Sequence, residues 1–143
     1  MRLLILVLAV LLLAGCTENT SETIIVAPDY GVRVVSPSEG DTLTFWTDST
    51  NAPVIVPVEA NCEVPGGPLS AQIWYRTPEY GNVWLYTARI AATDDKISAN
   101  LSLGFWRPDE GLRWNTLYVV VTAGDSSVWT SQERYFTCVV NQM

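Results

Sequence analysis

The chain of 143 residues contains no histidine. That removes the side chain used most often as a general base near neutral pH and as a metal ligand. It also excludes Ser-His-Asp and Cys-His catalysis within this chain. Basic residues are scarce, 8 Lys and Arg against 15 Asp and Glu, for a formal net charge of −7. Such a surface repels nucleic acid and anionic lipid headgroups, whose binding needs basic patches. The acidic residues are scattered and form no run of like charge, the pattern of a solvated, soluble surface. There is no Gly-rich phosphate loop, no calcium-loop motif and no metal-ligand spacing, so neither a cofactor nor a metal is expected. A helical stripe is missing from the whole chain beyond the leader, and no apolar run reaches the roughly 20 residues that cross a bilayer as a helix.

What is present begins with Leu3 to Ala14, twelve apolar residues after Met1-Arg2. That length after a positive start is the size of a signal-peptide apolar core, and Ala14-Gly15 leaves a peptidase room at the cut. Leu13-Ala14-Gly15-Cys16 resembles the lipobox of bacterial lipoproteins. The resemblance implies that residues 1–15 are a removed signal peptide and that the Cys16 thiol carries lipid. It also implies an acylated new amine, with palmitate among the chains expected. The alternative is an ordinary secretory signal with Cys at the cut. Two or more acyl chains hold a protein stably, at ~0.8 kcal/mol per buried CH₂, so a lipidated Cys16 anchors the chain to a membrane without a transmembrane helix. Residue 17 is Thr, not the Asp that in such lipoproteins often means inner-membrane retention. The expected address is the cell envelope, at the outer membrane where there is one.

With Arg2 gone, seven basic residues stand against fifteen acidic ones and the net charge is −8. Residues 16–27, rich in Thr, Glu, Ser and Asn, read as a lipid-anchored tether, and 28–143 as one domain. Cys62 and Cys138 remain, and an oxidising exported compartment favours their pairing in a disulfide. Closing a loop of that length is worth roughly 4–5 kcal/mol in the chain-entropy model. A conflict accompanies this expectation. Four predicted strands separate the two cysteines, and strands alternating in direction put them at opposite ends of a sandwich. Either the bond is absent, or a strand is missing or misplaced, with Phe105-Trp106 a candidate.

Short β-branched and aromatic runs divided by turn residues predict an all-β sandwich of about seven or eight strands. Strands are expected near 30–36, 42–47, 53–62, 69–77, 82–92, 96–103, 115–123 and 128–140. Val54, Val56, Val58, Ala60 and Cys62 alternate with Ile55, Pro57, Glu59 and Asn61, the period of a strand with one buried face. Pro57 lacks an N–H and argues for an edge strand or a bulge. Leu117-Tyr118-Val119-Val120-Val121-Thr122-Ala123-Gly124-Asp125, then Trp129-Thr130-Ser131 and Arg134-Tyr135-Phe136, resembles the last hairpin of a fibronectin type III domain. Ile73-Trp74-Tyr75-Arg76, with Trp84 after a turn, is similar to that family's middle hairpin. The resemblance covers roughly 69 to 140 and implies a single immunoglobulin-like β-sandwich. The early strand lacks the family's usual buried Trp, and the cysteine pair is a further departure, so immunoglobulin-like is the wider label.

Six tryptophans are many for this length, and most serve as core anchors. Trp74 shares a strand face with Ser70, Gln72 and Arg76, where it could stack on a sugar ring or anchor a protein. Equally, it could be the inward tryptophan of an immunoglobulin-like strand, twelve residues after Cys62. Trp46, Tyr80, Trp106 and Trp114 lie near predicted turns, which commonly carry binding function. The candidate binding residues are therefore Trp74, Arg76, Tyr80 and Trp106, with no catalytic residue expected. Asp94-Asp95 and Asp109-Glu110 could serve hydrolysis across a cleft or help hold Ca²⁺, but adjacent acids in turns are usually just solvated. Asn19-Thr20-Ser21 and Asn100-Leu101-Ser102 match the glycosylation sequon. The expected function is a non-catalytic binding or scaffold module for an envelope protein. Carbohydrate recognition through exposed aromatics is the second reading, and a small acid-pair hydrolase the third.

Overall fold

A computed structural model describes residues 30–87, the backbone of 90 and 91, and 95–143. Cys16, the leader, the tether and Asp94 lie outside the described residues. The elements are β1 (Gly31–Ser36), β2 (Thr42–Thr47), β3 (Ala52–Glu63), β4 (Pro68–Arg76), β5 (Leu85–Tyr86), β6 (Ile90–Ala91), β7 (Lys96–Trp106), β8 (Arg113–Ala123), β9 (Val128–Thr130) and β10 (Arg134–Gln142). Single 3-10 turns occupy Pro78–Tyr80 and Pro108–Glu110. Among the described residues there is no α-helix, so no helix long and apolar enough to cross a membrane. The fold is all-β.

Two sheets form. One has the order β1-β3-β7, and the other runs β2-β10-β8-β4-β5, with β6 also on β4 and β9 also on β8. Neighbouring strands are antiparallel except β10 and β2, which are parallel. The inward rows of both sheets meet in one buried cluster. Val54, Val56, Val58 and Ala60 of β3, with Ile97 and Leu101 of β7, face Ala71 and Ile73 of β4 and Leu117, Val119 and Val121 of β8. Each fully buried Val, Leu or Ile of this cluster is worth about 1.5–3 kcal/mol, which is why strict alternation fixes the register.

Pro57 sits on the middle strand of the three-stranded sheet, so of the edge and the bulge that its chemistry suggested, the edge is overturned. The pairing with β1 is irregular close by, between Val34 and Ser36. Pro57 is opposite Asn100 of β7, and β1 ends at Ser36 opposite Glu59. The Ser36 hydroxyl donates to the Pro57 carbonyl at 3.4 Å. The missing N–H therefore points to where β1 has already stopped, and the ladder loses nothing.

The strand expected at 96–103 runs on to Trp106. Its alternation breaks at Gly104, which has φ +89°, and the pairing with β3 slips there between Pro53 and Ile55. A bulge of this kind flips the faces beyond it. Phe105 turns out, 72% exposed, and Trp106 turns in, 2% exposed. Trp106 is therefore a core residue, which overturns its place among the candidate binding residues. Its indole N–H donates to the Leu103 carbonyl at 3.0 Å, and the Arg113 guanidinium lies 4.8 Å from its ring centroid. Arg113 is in turn paired with Glu110 at 2.8 Å, so half of the Asp109-Glu110 pair closes this end of the core. The strand expected at 128–140 is two. Ser131 divides them, accepting the Val119 N–H on its hydroxyl at 2.9 Å and donating its own backbone N–H to the Val119 carbonyl at 2.9 Å. The strand expected at 82–92 is likewise met as β5 and β6, each pairing β4 at a separate place.

Cys62 and Cys138 are both buried and both free thiols, so the expected disulfide is not formed. Cys62 lies near the Gly66 turn, which packs against Gly124 at the end of β8. Cys138 pairs with Arg113 at the beginning of β8. Strand rise of ~3.3 Å per residue puts them more than roughly 20 Å apart, where a bond needs Cα atoms within about 7 Å. The conflict in the sequence is thus resolved by geometry against the bond. Burial pushes the Cys62 thiol up to about 11 and the Cys138 thiol up to about 12, from 9.0. Native protein carrying Cys16→Ser is expected to resist thiol labelling at pH 8 and to label at both sites once unfolded. The neutral thiols stabilise the fold fully below about pH 9, and that contribution is lost as pH rises through 11 and 12. A Cys62→Ala, Cys138→Ala variant should therefore show a shallower loss of unfolding free energy over pH 9–12 in denaturant titrations.

The turns Pro65-Gly66-Gly67-Pro68 and Ala123-Gly124-Asp125-Ser126 lock together. Gly124 N–H donates to the Gly67 carbonyl at 2.7 Å, and a Cβ on Gly124 would lie 2.8 Å from the Gly66 carbonyl carbon. Gly124→Ala is expected to cost about 1–3 kcal/mol by overpacking two backbones, read as a lowered midpoint in urea.

Candidate functional site

The outward face of the larger sheet carries aromatic side chains, and strand parity puts them there. On β8 the inward row is Leu117, Val119, Val121 and Ala123, so Tyr118 and Val120 point out. On β4 the inward residues are Ala71 and Ile73, with Tyr75 packed against the core, so Gln72, Trp74 and Arg76 point out. Trp74 therefore lies on the outer face and is not the inward tryptophan of its strand. Among the described residues the fully buried tryptophan is Trp106, from the opposite sheet, and Trp129 packs partly buried against the core.

Register then aligns these residues across strands. Trp74 is directly opposite Tyr86 of β5 on one side and Tyr118 of β8 on the other. The Trp74 and Tyr86 rings are 5.3 Å apart at 31°, and Trp74 and Tyr118 are 6.3 Å apart and nearly parallel, at 5°. Trp84, just before β5, meets Tyr118 edge-on at 4.9 Å and 69°. The Arg76 guanidinium lies 4.5 Å from the Trp84 centroid. Such pairs are worth about 0.5–1.5 kcal/mol each beyond burial, so the rings hold one another in place. Tyr86 stays 51% exposed, and Trp74, Trp84 and Tyr118 are half-buried. Farther along the same face Tyr135, Trp114 and Trp46 are exposed. The Tyr135 hydroxyl donates to Glu133 at 3.1 Å, and that bond and the carboxylate's charge push the phenol up.

Trp74 and Arg76 share the outer face of β4, and the fold brings Trp84 to that face, between Arg76 and Tyr118. Tyr80 is exposed on the first 3-10 turn and makes no ring contact with the cluster. Glu110 is paired with Arg113, and the described residues contain no group of three or more His, Cys, Asp or Glu placed to hold a metal. Trp84, Tyr86 and Tyr118 were not among the expected binding residues. Parity on β8 was the available signal for Tyr118, since Leu117, Val119 and Val121 already declare the inward row.

A shallow trough of about 430 Å³ borders the cluster, lined by Trp84, Tyr118, Val120, Thr130, Ser131 and Glu133. A second groove, about 500 Å³, separates β1 from β9 and includes Val32, Val34, Trp129 and Arg134. The Arg134 side chain crosses between the sheets there, donating to the Val34 carbonyl at 2.8 Å.

No protein-family model and no curated protein matches the chain. Among solved structures it is similar to a superoxide reductase (neelaredoxin) from Ignicoccus hospitalis, over 76% of this chain and 80% of that chain, at 9% identity and a TM-score of 0.49. A likeness that slight carries no argument about activity.

Proposed function

We propose that this protein is a non-catalytic binding module of the cell envelope, held to a membrane by lipid on Cys16, that engages a protein partner through the outer face of its larger sheet. The observation that carries this reading is the cross-strand row Tyr86-Trp74-Tyr118 with Trp84 and Arg76, placed on the outside of the domain and not in its core. Tyr, Trp and Arg are the residues that dominate binding energy at protein interfaces. The strand order supports an immunoglobulin-like, fibronectin type III-like sandwich, since the second strand pairs parallel with the last while the first strand joins the other sheet. The lipobox supports the anchor, and the absence of histidine removes the histidine-based catalytic arrangements. Expression of the full-length protein and of Cys16→Ser in a lipoprotein-processing host tests the anchor. Wild type should partition into detergent with the membranes and carry acyl mass on Cys16, and the variant should do neither. An unmodified Cys16 in wild type would remove the anchor from this reading.

A further inference from the structure

We infer that the trough between Trp84, Tyr118 and Glu133 receives a basic side chain, lysine or arginine, from the protein partner. This rests on the reading of the aromatic face as a partner-binding surface and adds the chemistry of what it holds. Trp84 and Tyr118 meet at 69°, so they make a corner and not a flat platform. A sugar ring is covered best by one flat aromatic face, whereas a cation on a flexible stem can sit in a corner and use both rings. Across the trough stands Glu133. Its only described bond is the one it accepts from Tyr135, and among the described residues it has no ion-pair partner. The remaining lining, Val120, Thr130 and Ser131, suits an aliphatic stem whose head reaches the carboxylate. Arg76 rests on the Trp84 ring but does not line the trough. The net charge of −8 beyond the leader, seven basic residues against fifteen acidic, draws a basic partner toward the protein, and Glu133 is the carboxylate that meets it in the trough.

The test uses the full-length protein in detergent, titrated with decalysine and with deca-arginine, and follows the Trp84 indole resonance by NMR at two salt concentrations. An acidic protein binds such peptides somewhere in any case, so the location decides. The largest shifts are expected at Trp84, Tyr118 and Glu133. Glu133→Gln should weaken binding roughly fivefold, the scale of one exposed charge pair, and Trp84→Leu should weaken it several-fold more. Glu59→Gln, on the exposed face of the other sheet, should leave it unchanged. If Glu59→Gln weakens binding as much as Glu133→Gln, or if the shifts bypass the trough, the inference is overturned. The same holds if oligosaccharides move the Trp84 resonance and the basic peptides do not. Failure here leaves the partner-binding face itself standing, provided crosslinking from Tyr86 in cells still captures an envelope protein. If that capture also fails, it is the wider reading that has failed.

Discussion

Trp74→Ala combined with Tyr118→Ala is expected to weaken partner capture at least ~30-fold while leaving the protein folded. The magnitude follows from interface hot spots, where truncating a central Trp or Tyr costs about 2 kcal/mol or more. The structural cost is spread over three ring contacts, Trp74–Tyr86, Trp74–Tyr118 and Trp84–Tyr118. Each is worth about 0.5–1.5 kcal/mol, to which the part-buried area adds. All of it lies on the outer face and leaves the buried core intact, so the denaturation midpoint should fall while the circular dichroism spectrum of a sheet protein persists. Quantitative crosslinking in the host beside a urea titration of the purified variant measures both. Loss of fold together with loss of capture would mean that the row is structural cladding.

Trp106→Ala is the opposite case. Its ring is 2% exposed, its N–H is satisfied by Leu103, and Arg113 covers it. Truncation removes the transfer energy of a large aromatic and leaves a cavity, together about 3–5 kcal/mol, a large share of the roughly 5–15 kcal/mol of a typical domain. Phe105→Ala, one residue earlier and 72% exposed, should cost no more than about 0.5 kcal/mol. The pair tests the Gly104 bulge directly. Without that bulge the two effects would be exchanged, since an unbroken two-residue period from Ile97, Leu101 and Leu103 puts residue 105 inside. Chevron or equilibrium denaturation of the two variants decides between these registers.

Alternation made much of the framework readable. β3 announces itself because Val54, Val56, Val58, Ala60 and Cys62 are all apolar while the alternate row includes Pro57, Glu59 and Asn61, and the structure places the apolar row in the core. β7 was legible for the same reason as far as Leu103. The break came at a single glycine whose positive φ admits an extra residue, which composition cannot distinguish from an ordinary turn. The outcome was a buried tryptophan expected at the surface. Ser131 hid the division of β9 from β10 in a similar way, because its effect depends on hydrogen bonds to Val119 that exist only once the strands pair.

The aromatic face was half visible. Trp74 and Arg76 share parity on one strand, and that much is local. Their meeting with Tyr86, Trp84 and Tyr118 depends on which strands become neighbours, a long-range property of the sheet order. The cysteines show the reverse weighting. Compartment chemistry favoured a bond between Cys62 and Cys138, while strand direction opposed it. The distance along β8 is the stronger constraint, because a disulfide has a short and inflexible reach.

The most direct measurement is site-specific photocrosslinking in living cells. A benzophenone amino acid replaces Tyr86, beside Trp74 on the outer face of the larger sheet, or Ser98, exposed on the outer face of the other sheet. Illumination followed by mass spectrometry should give one reproducible envelope-protein adduct from position 86 and none from position 98. Adducts from position 98 alone, or none from either while the lipidated protein is abundant, would contradict a partner-binding role for the aromatic face.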